Sequence, residues 1–411
     1  MRRAEHSSRR ERSTATRGDA RPDGSRQIPL AEPDLSGRES EYLLDCLRTN
    51  YVSSVGPYVT RFEEVLAHNC GASEAVAVSS GTAALHLALV CTGVRRDDLV
   101  ILPSFTFIAS ANAIAHCGAS PWLLDIERDS WTLDPALLES ELERHTERRG
   151  EALVHKPSGR RVAALMPVYT LGTPADMDPL VEIARRYRLP VIADAAAALG
   201  ASYKERALAE LADLTVFSFN GNKTVTSGGG GAIASMDKIL LKRAKHLAAQ
   251  ARDGEEYVHD AVGYNYRMTN LEAAVGLAQI ERLAELLKRK LRIRKAYDRV
   301  FARMSGLGVF PQPGWAQSAC WLSGVVLDDN ARLSPPELRK ALREQNISAG
   351  LFWRPVHLQP PYAHCAKSAQ DVTESLWSRI LVLPCSTSLD ATAQQRVIAA
   401  VRKLVLESTR A

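Results

Sequence analysis

The 411-residue chain has no apolar run long enough to span a bilayer. Its first 26 residues contain no apolar core of the kind a secretory signal needs. It also has no Cys-x-x-Cys pair. The seven cysteines, at 46, 70, 91, 117, 320, 365 and 385, are odd in number and stand mostly in apolar contexts. That excludes a disulfide framework or a zinc site and predicts free thiols in a reducing cytoplasm. An excess of one charge is missing too. Residues 1–26 hold eight Arg against four Asp or Glu, which is +4 of the formal +5. The rest is near neutral, so a nucleic-acid-binding surface is not supported, and the basic stretch predicts a disordered, solvated tail.

What is present is an alternation. From about residue 75 to 235, short apolar runs alternate with helical patterns. EAVAVSS, DLVILPS, PWLLDI, RVAALMPV, PVIADA, LTVFSF and GAIAS read as strands. Continuous apolar strands separated by helices predict a largely parallel sheet, covered on both faces. Thr269 and Glu272 form a T-x-x-E capping box that predicts a long helix to about Met304, with the Lys and Arg after residue 287 on a solvated face. A second α/β portion is predicted from about 315 to the end.

Four stretches carry candidate chemistry. VSSGTAALH passes from strand to helix through Gly81-Thr82, and free N–H groups at a helix start suit a phosphate. Tight strand–helix turns are common, so this motif is weak alone. VIADAAAALG sets Asp194 at a strand end, where it is either a turn aspartate or the partner of a buried cation. FSFNGNKTVTSGGGG puts Lys223 between an apolar run and four glycines. A P-loop requires glycine just before the lysine, and Asn222 stands there. A surface lysine and a desolvated, nucleophilic amine remain as readings. GYNYRMTNLEAA is a polar and aromatic approach to the capped helix. Other conspicuous residues have bland readings: His86 on an apolar helix face as packing, and Trp122, Trp131 and Trp353 as packing or domain contacts. His364 and Cys365 lack a metal-like partner pattern.

Together, a lysine amine, a buried carboxylate, a helix start and an aromatic match the needs of pyridoxal 5′-phosphate. Its aldehyde needs an amine, its ring nitrogen a carboxylate, its phosphate a helix start and its ring a flat apolar face. The chain from about Ile28 to Val401 resembles the sugar aminotransferases of the DegT/DnrJ/EryC1/StrS family. The matches are SSGTAALHLAL, PSFTFIASANAI, PADMDPL, FSFNGNKTVTSGGGG, GYNYRMTNLEAAVGLAQ and RPVHLQPPY.

The resemblance implies an α/β protein of the type I PLP-dependent aminotransferase fold. A mainly parallel seven-stranded sheet would lie in a large domain over 27–285, with a smaller α/β C-terminal domain over 286–411. The N-terminal helix would pack on the small domain. The resemblance also implies the roles. Lys223 would bind the cofactor aldehyde and shuttle the proton, and Asp194 would pair with the ring nitrogen. Gly81, Thr82, Ala83 and Ser218 would meet the phosphate, and Phe107 would stack on the ring. Asn265 would reach the phosphate of a neighbouring subunit in a homodimer with shared sites, and His357 would lie near the sugar nucleotide.

The implied reaction moves an amino group, from L-glutamate, to C4 of a nucleotide-linked 4-keto-6-deoxy sugar in glycan biosynthesis. A UDP-linked N-acetylhexosamine is the nearest match. The alternatives are C3 or C4 amination of a GDP- or dTDP-linked sugar, or a non-catalytic PLP-binding regulator. Related sugar dehydratases replace the lysine with histidine, so Lys223 argues against that chemistry. One departure stands out: three residues after the aspartate, relatives usually carry Gln, Glu or His, and this chain has Ala197.

Overall fold

The structure, a computed structural model, describes residues 26–328 and 330–410. The predicted tail therefore lies outside the described residues, apart from Arg26.

Seven strands form the main run of the central sheet: β1 (Glu74–Val78), β2 (Leu99–Pro103), β3 (Ser120–Leu124), β4 (Arg160–Leu165), β5 (Ile192–Asp194), β6 (Leu214–Ser218) and β7 (Gly231–Ser235), and a hairpin of Thr146–Arg149 and Ala152–His155 pairs antiparallel with the start of β4. The spatial order of the seven is β1-β7-β6-β5-β4-β2-β3, with β4 and β5 joined by the parallel bridges Leu165–Val191 and Val168–Asp194. Pairing is parallel within β6-β5-β4-β2-β3, while β7 runs antiparallel to both neighbours. The reason is the length of its connection. Phe219 to Gly230 is a loop without a crossover helix, and only a crossover can return the chain parallel.

Alternate strand residues point to opposite faces. Ala75, Ala77, Leu99, Ile101 and Trp122 enter one buried cluster, with α2 (Pro57–Cys70). Val76, Val78, Val100, Leu102 and Leu123 enter another, with α3 (Gly81–Cys91) and α4 (Ile108–His116). The both-faces-covered pattern read from the sequence is thus what the packing shows. A third cluster surrounds an antiparallel sheet of β8 (Leu307–Gly308), β9 (Ser323–Leu327), β10 (Gly350–Leu351) and β11 (Ile380–Leu383), ordered β8-β9-β11-β10.

Three expectations need correction. The N-terminal helix α1 (Glu39–Arg48) packs with the large sheet's cluster and not on the C-terminal portion. Tyr42 and Cys46 belong to that cluster, and the Tyr42 hydroxyl donates to Glu281 at 2.9 Å. The extended segment before it does join the C-terminal portion, through the bridge Ile28–Ile347.

The long helix is two helices, α5 (Asn270–Ile280) and α6 (Leu283–Phe301), broken at Glu281-Arg282 with neither glycine nor proline at the break. The capping box at Thr269 and Glu272 is present. Arg282 reaches back to Asp34 at 3.3 Å. The 285/286 boundary falls inside α6. Leu283 and Leu286 enter the first cluster, and Ile293, Tyr297 and Phe301 enter the third.

Finally, the basic face of α6 is not uniformly solvated. Lys290 and Arg294 are 3% and 4% exposed. Lys290 Nζ donates to the carbonyls of Trp321 (2.9 Å) and Cys385 (2.7 Å), which satisfies the ammonium inside the protein.

Candidate active site

Ligands of open α/β sheets bind outside the carboxyl ends of the strands. Here a cavity of about 360 Å³ opens at those ends. Ser80, Gly81 and Thr82 reach it from β1, Thr106 and Phe107 from β2, and Tyr169 and Thr170 from β4. Asp194, Ala196 and Ala197 follow from β5, and Ser218 and Lys223 from β6. Trp321 and Trp353 cover it from the C-terminal portion. A larger open groove of about 910 Å³ lies beside the helix Met177–Tyr187 and contains none of the candidate residues.

The Lys223 loop is folded by its own backbone. Lys223 N–H donates to Asn220 O at 2.9 Å, and Ser227 N–H to Phe219 O at 2.9 Å. The glycines then return the chain against the start of α3. A Cβ on Gly231 would lie 2.5 Å from Gly81 N and from Ser80 C, so only glycine allows that approach. The run of glycines thus sets the lysine loop directly against a helix N-terminus. Desolvation of the amine lowers the Lys223 pKa to about 8, and the charge of Asp194 opposes that shift. Lys223 Nζ lies 3.6 Å from the centre of the Trp321 ring. The Trp321 indole N–H donates to Asn222 O at 2.8 Å, which holds the ring over the loop.

Asp194 is 5% exposed. Burial raises its pKa. Opposing this, Ser110 Oγ donates to Oδ2 at 2.6 Å, Ala196 N–H donates to Oδ1 at 3.1 Å, and the Lys223 charge helps. The β5 backbone is fixed from the side, where Tyr169 N–H donates to Asp194 O at 2.9 Å.

At the start of α3, Ser80 Oγ accepts from Ala83 N–H at 3.0 Å. Gly81 and Thr82, in the first turn before any intrahelical carbonyl bond, line the cavity at the positive end of the helix, beside the bridge between Ser80 and Gly230. Phe107 is 53% exposed at the cavity mouth, 5.8 Å from the Trp353 ring.

The structure brings together Gly81, Thr82, Phe107, Asp194, Ser218 and Lys223 around one cavity. Three predicted residues stand apart. Ala83 does not line the cavity, and its N–H serves the Ser80 cap. Asn265 is exposed in the approach to α5 and lies outside the cavity of this chain. His357 does not line this cavity either. It is 3% exposed, with Nδ1 2.6 Å from Ser104 Oγ and Nε2 3.1 Å from Glu374. Both ring nitrogens are engaged, and burial lowers its pKa while Glu374 opposes this. It braces the C-terminal segment against the end of β2.

Other residues were missed. Ser110 lies within the quoted PSFTFIASANAI, where its helical spacing from Phe107 could have marked it. Trp321 gave no signal, because its partner Asn222 is 99 residues away. Trp353, read as packing or a domain contact, lines the cavity as well. Trp122 is buried, and Trp131 packs 4.9 Å from Phe310, as expected of packing residues. His86 is buried against Tyr266. Among the described residues no group of three or more His, Cys, Asp or Glu could hold a metal, and no helix is long and apolar enough to cross a membrane.

The wall therefore offers an amine of lowered pKa, a buried carboxylate with its own donor, a helix N-terminus and aromatic faces. These residues fit a planar heterocycle that bears an aldehyde, a ring nitrogen and a phosphate.

Comparison with known proteins agrees. The profile of the DegT/DnrJ/EryC1/StrS aminotransferase family matches residues 33–402. A GDP-perosamine synthase from Caulobacter vibrioides is 38% identical over 382 residues, covering 92% of this chain and 99% of its own. A putative pyridoxal phosphate-dependent aminotransferase, EpsN of Bacillus subtilis, is 38% identical, covering 91% and 94%. The crystal structure of DesV from S. venezuelae in complex with a ketimine intermediate superposes with a TM-score of 0.81 at 30% identity, covering 92% and 98%. The chain belongs to the DegT/DnrJ/EryC1/StrS aminotransferase family and has its type I fold, and it is a transaminase that works with pyridoxal 5′-phosphate.

Proposed function

We propose that the protein transfers an amino group, from L-glutamate, to C4 of a nucleotide-linked 4-keto-6-deoxy sugar. The observation that carries this reading is the meeting of Lys223 and Asp194 in one cavity, with an amine of pKa about 8 beside a carboxylate held by Ser110. The bound cofactor supplies the electron sink.

The chain's own residues do the rest. Lys223 Nζ would hold the cofactor aldehyde and, as a free amine, would take the proton from the donor carbon and pass it to the cofactor carbon, then move a proton from there to the sugar carbon in the second half. A pKa of about 8 suits both directions. Asp194, whose anion Ser110 and the Ala196 N–H favour against the effect of burial, would hold the ring nitrogen protonated. Gly81, Thr82 and Ser218 bind the phosphate at the start of α3. Phe107 closes one side of the ring. Asn265, exposed in this chain, serves the site of a second copy, so the working form is a homodimer.

Two nucleotides are favoured by different observations. The resemblance of FSFNGNK and of the opening stretch PLAEPDLSGRESEYLLDCLRTN to members acting on UDP-N-acetyl-4-keto sugars supports a UDP-linked N-acetyl sugar. The relative from Caulobacter vibrioides, named for a GDP-linked product, points to GDP. The test is direct. Protein loaded with pyridoxal phosphate is mixed with L-glutamate, and the visible band is followed. UDP-, GDP- and dTDP-linked 4-keto sugars are then added and the products are analysed by mass and NMR. Loss of the visible band with glutamate and its return with one keto sugar are expected. A band that no amino donor changes would overturn the reading.

A further inference from the structure

Ala197 lines the cavity three residues after Asp194, and its methyl group offers no hydrogen bond. The phenolic oxygen of a bound pyridoxal ring is an acceptor that burial leaves costly unless it is paired. The hydroxyls around the cavity are mostly committed. Ser80 caps α3, and Ser110 donates to Asp194. Thr106 lies 3.0 Å from Ser110 Oγ, and Ser218 sits on the β6 side, beside the start of α3.

Thr170 differs from all of these. It is 3% exposed and lines the cavity, and its Oγ1 is buried with no hydrogen-bond partner. Its position is set by backbone. Tyr169 N–H is bonded to Asp194 O, and Thr173 N–H to Thr170 O at 3.0 Å. The turn is pressed against Ala197: a Cβ on Gly172 would lie 2.7 Å from Ala197 O. Tyr169 has an unpaired buried hydroxyl too, but its ring belongs to the apolar cluster on one face of the sheet.

We propose that Thr170 is a positioning residue for the cofactor, donating its hydroxyl to the phenolic oxygen on the side of the ring where Ala197 cannot. This rests on the cofactor reading above. A donor there stabilises the phenolate and thereby favours loss of the proton that the oxygen shares with the cofactor's lysine-linked nitrogen. The bond makes the protein-bound chromophore more acidic.

The test is a spectrophotometric pH titration of the visible band in holoenzyme: wild type, Thr170→Val, Thr170→Ser and Tyr169→Phe. Removing a hydrogen bond to a charged oxygen should raise the midpoint by about one pH unit in Thr170→Val. Thr170→Ser keeps the donor and should titrate as wild type, and Tyr169→Phe should not move. If Thr170→Val does not retain the cofactor, Thr170→Ala takes its place in the comparison with Thr170→Ser. An unmoved midpoint in the hydroxyl-free variant, or a shift confined to Tyr169→Phe, overturns the proposal. A wild type with no visible band would instead refute the cofactor reading.

Discussion

Ser110 Oγ donates to Asp194 Oδ2 at 2.6 Å, from the first turn of one helix to the end of the fifth strand. Burial alone would favour the neutral acid at Asp194, and this bond favours the anion. In Ser110→Ala the carboxylate keeps only the Ala196 N–H among these donors. Affinity for pyridoxal phosphate should fall by about tenfold, as expected for a lost bond to a charged group. Equilibrium titration of the visible band measures it.

Lys223 reacts only as the free amine. With a pKa of about 8, the rate of cofactor uptake by the apoprotein should rise with pH and level off above that value. An unperturbed lysine would still be accelerating near 10. Stopped-flow absorbance across pH 6.5–10 gives the inflection. Lys223→Ala should leave no transamination activity, because neither the linkage nor the proton transfer has another amine.

Gly231 meets the start of α3 at van der Waals limits. Gly231→Ala should destabilise the fold by about 1–3 kcal/mol, as overpacking does. It should also weaken phosphate binding, since the contact it breaks orients the Gly81 and Thr82 N–H groups. Denaturant unfolding and cofactor titration read the two effects separately.

Lys290→Met keeps most of the side-chain volume but leaves the carbonyls of Trp321 and Cys385 without their ammonium donor. A loss of about 1–3 kcal/mol is expected for each buried acceptor so abandoned. Thermal unfolding checks it. Turnover should fall as well, since Lys290 fixes the backbone that carries Trp321.

The sheet was legible because a strand buried on both faces must be largely apolar, as LVILP and the AVAV of the first strand are. The lysine loop was legible because no P-loop carries its glycines after the lysine. The long-range contacts were not. Trp321 reaches Lys223 only through tertiary folding, and nothing local to CWLSGVVL marks it. Lys290 and Arg294 look like any exposed cation in a Lys/Arg-rich helix. Their partners are backbone carbonyls, which a sequence does not display. The place of α1 was misjudged because the extended segment before it, not the helix, is what binds the C-terminal sheet. The partners of His357, Ser104 and Glu374, are also set by tertiary folding and are not marked in its motif.

Trp321 belongs to the third cluster, while its ring lies against Lys223. The protein thus carries a fluorophore at the reactive amine, with Trp353 6.0 Å away. Cofactor arrival must disturb that ring, so emission intensity will follow loading without any label. Were the C-terminal portion to swing outward, the same light would report it, and a Trp321→Phe protein would lose that share of the signal.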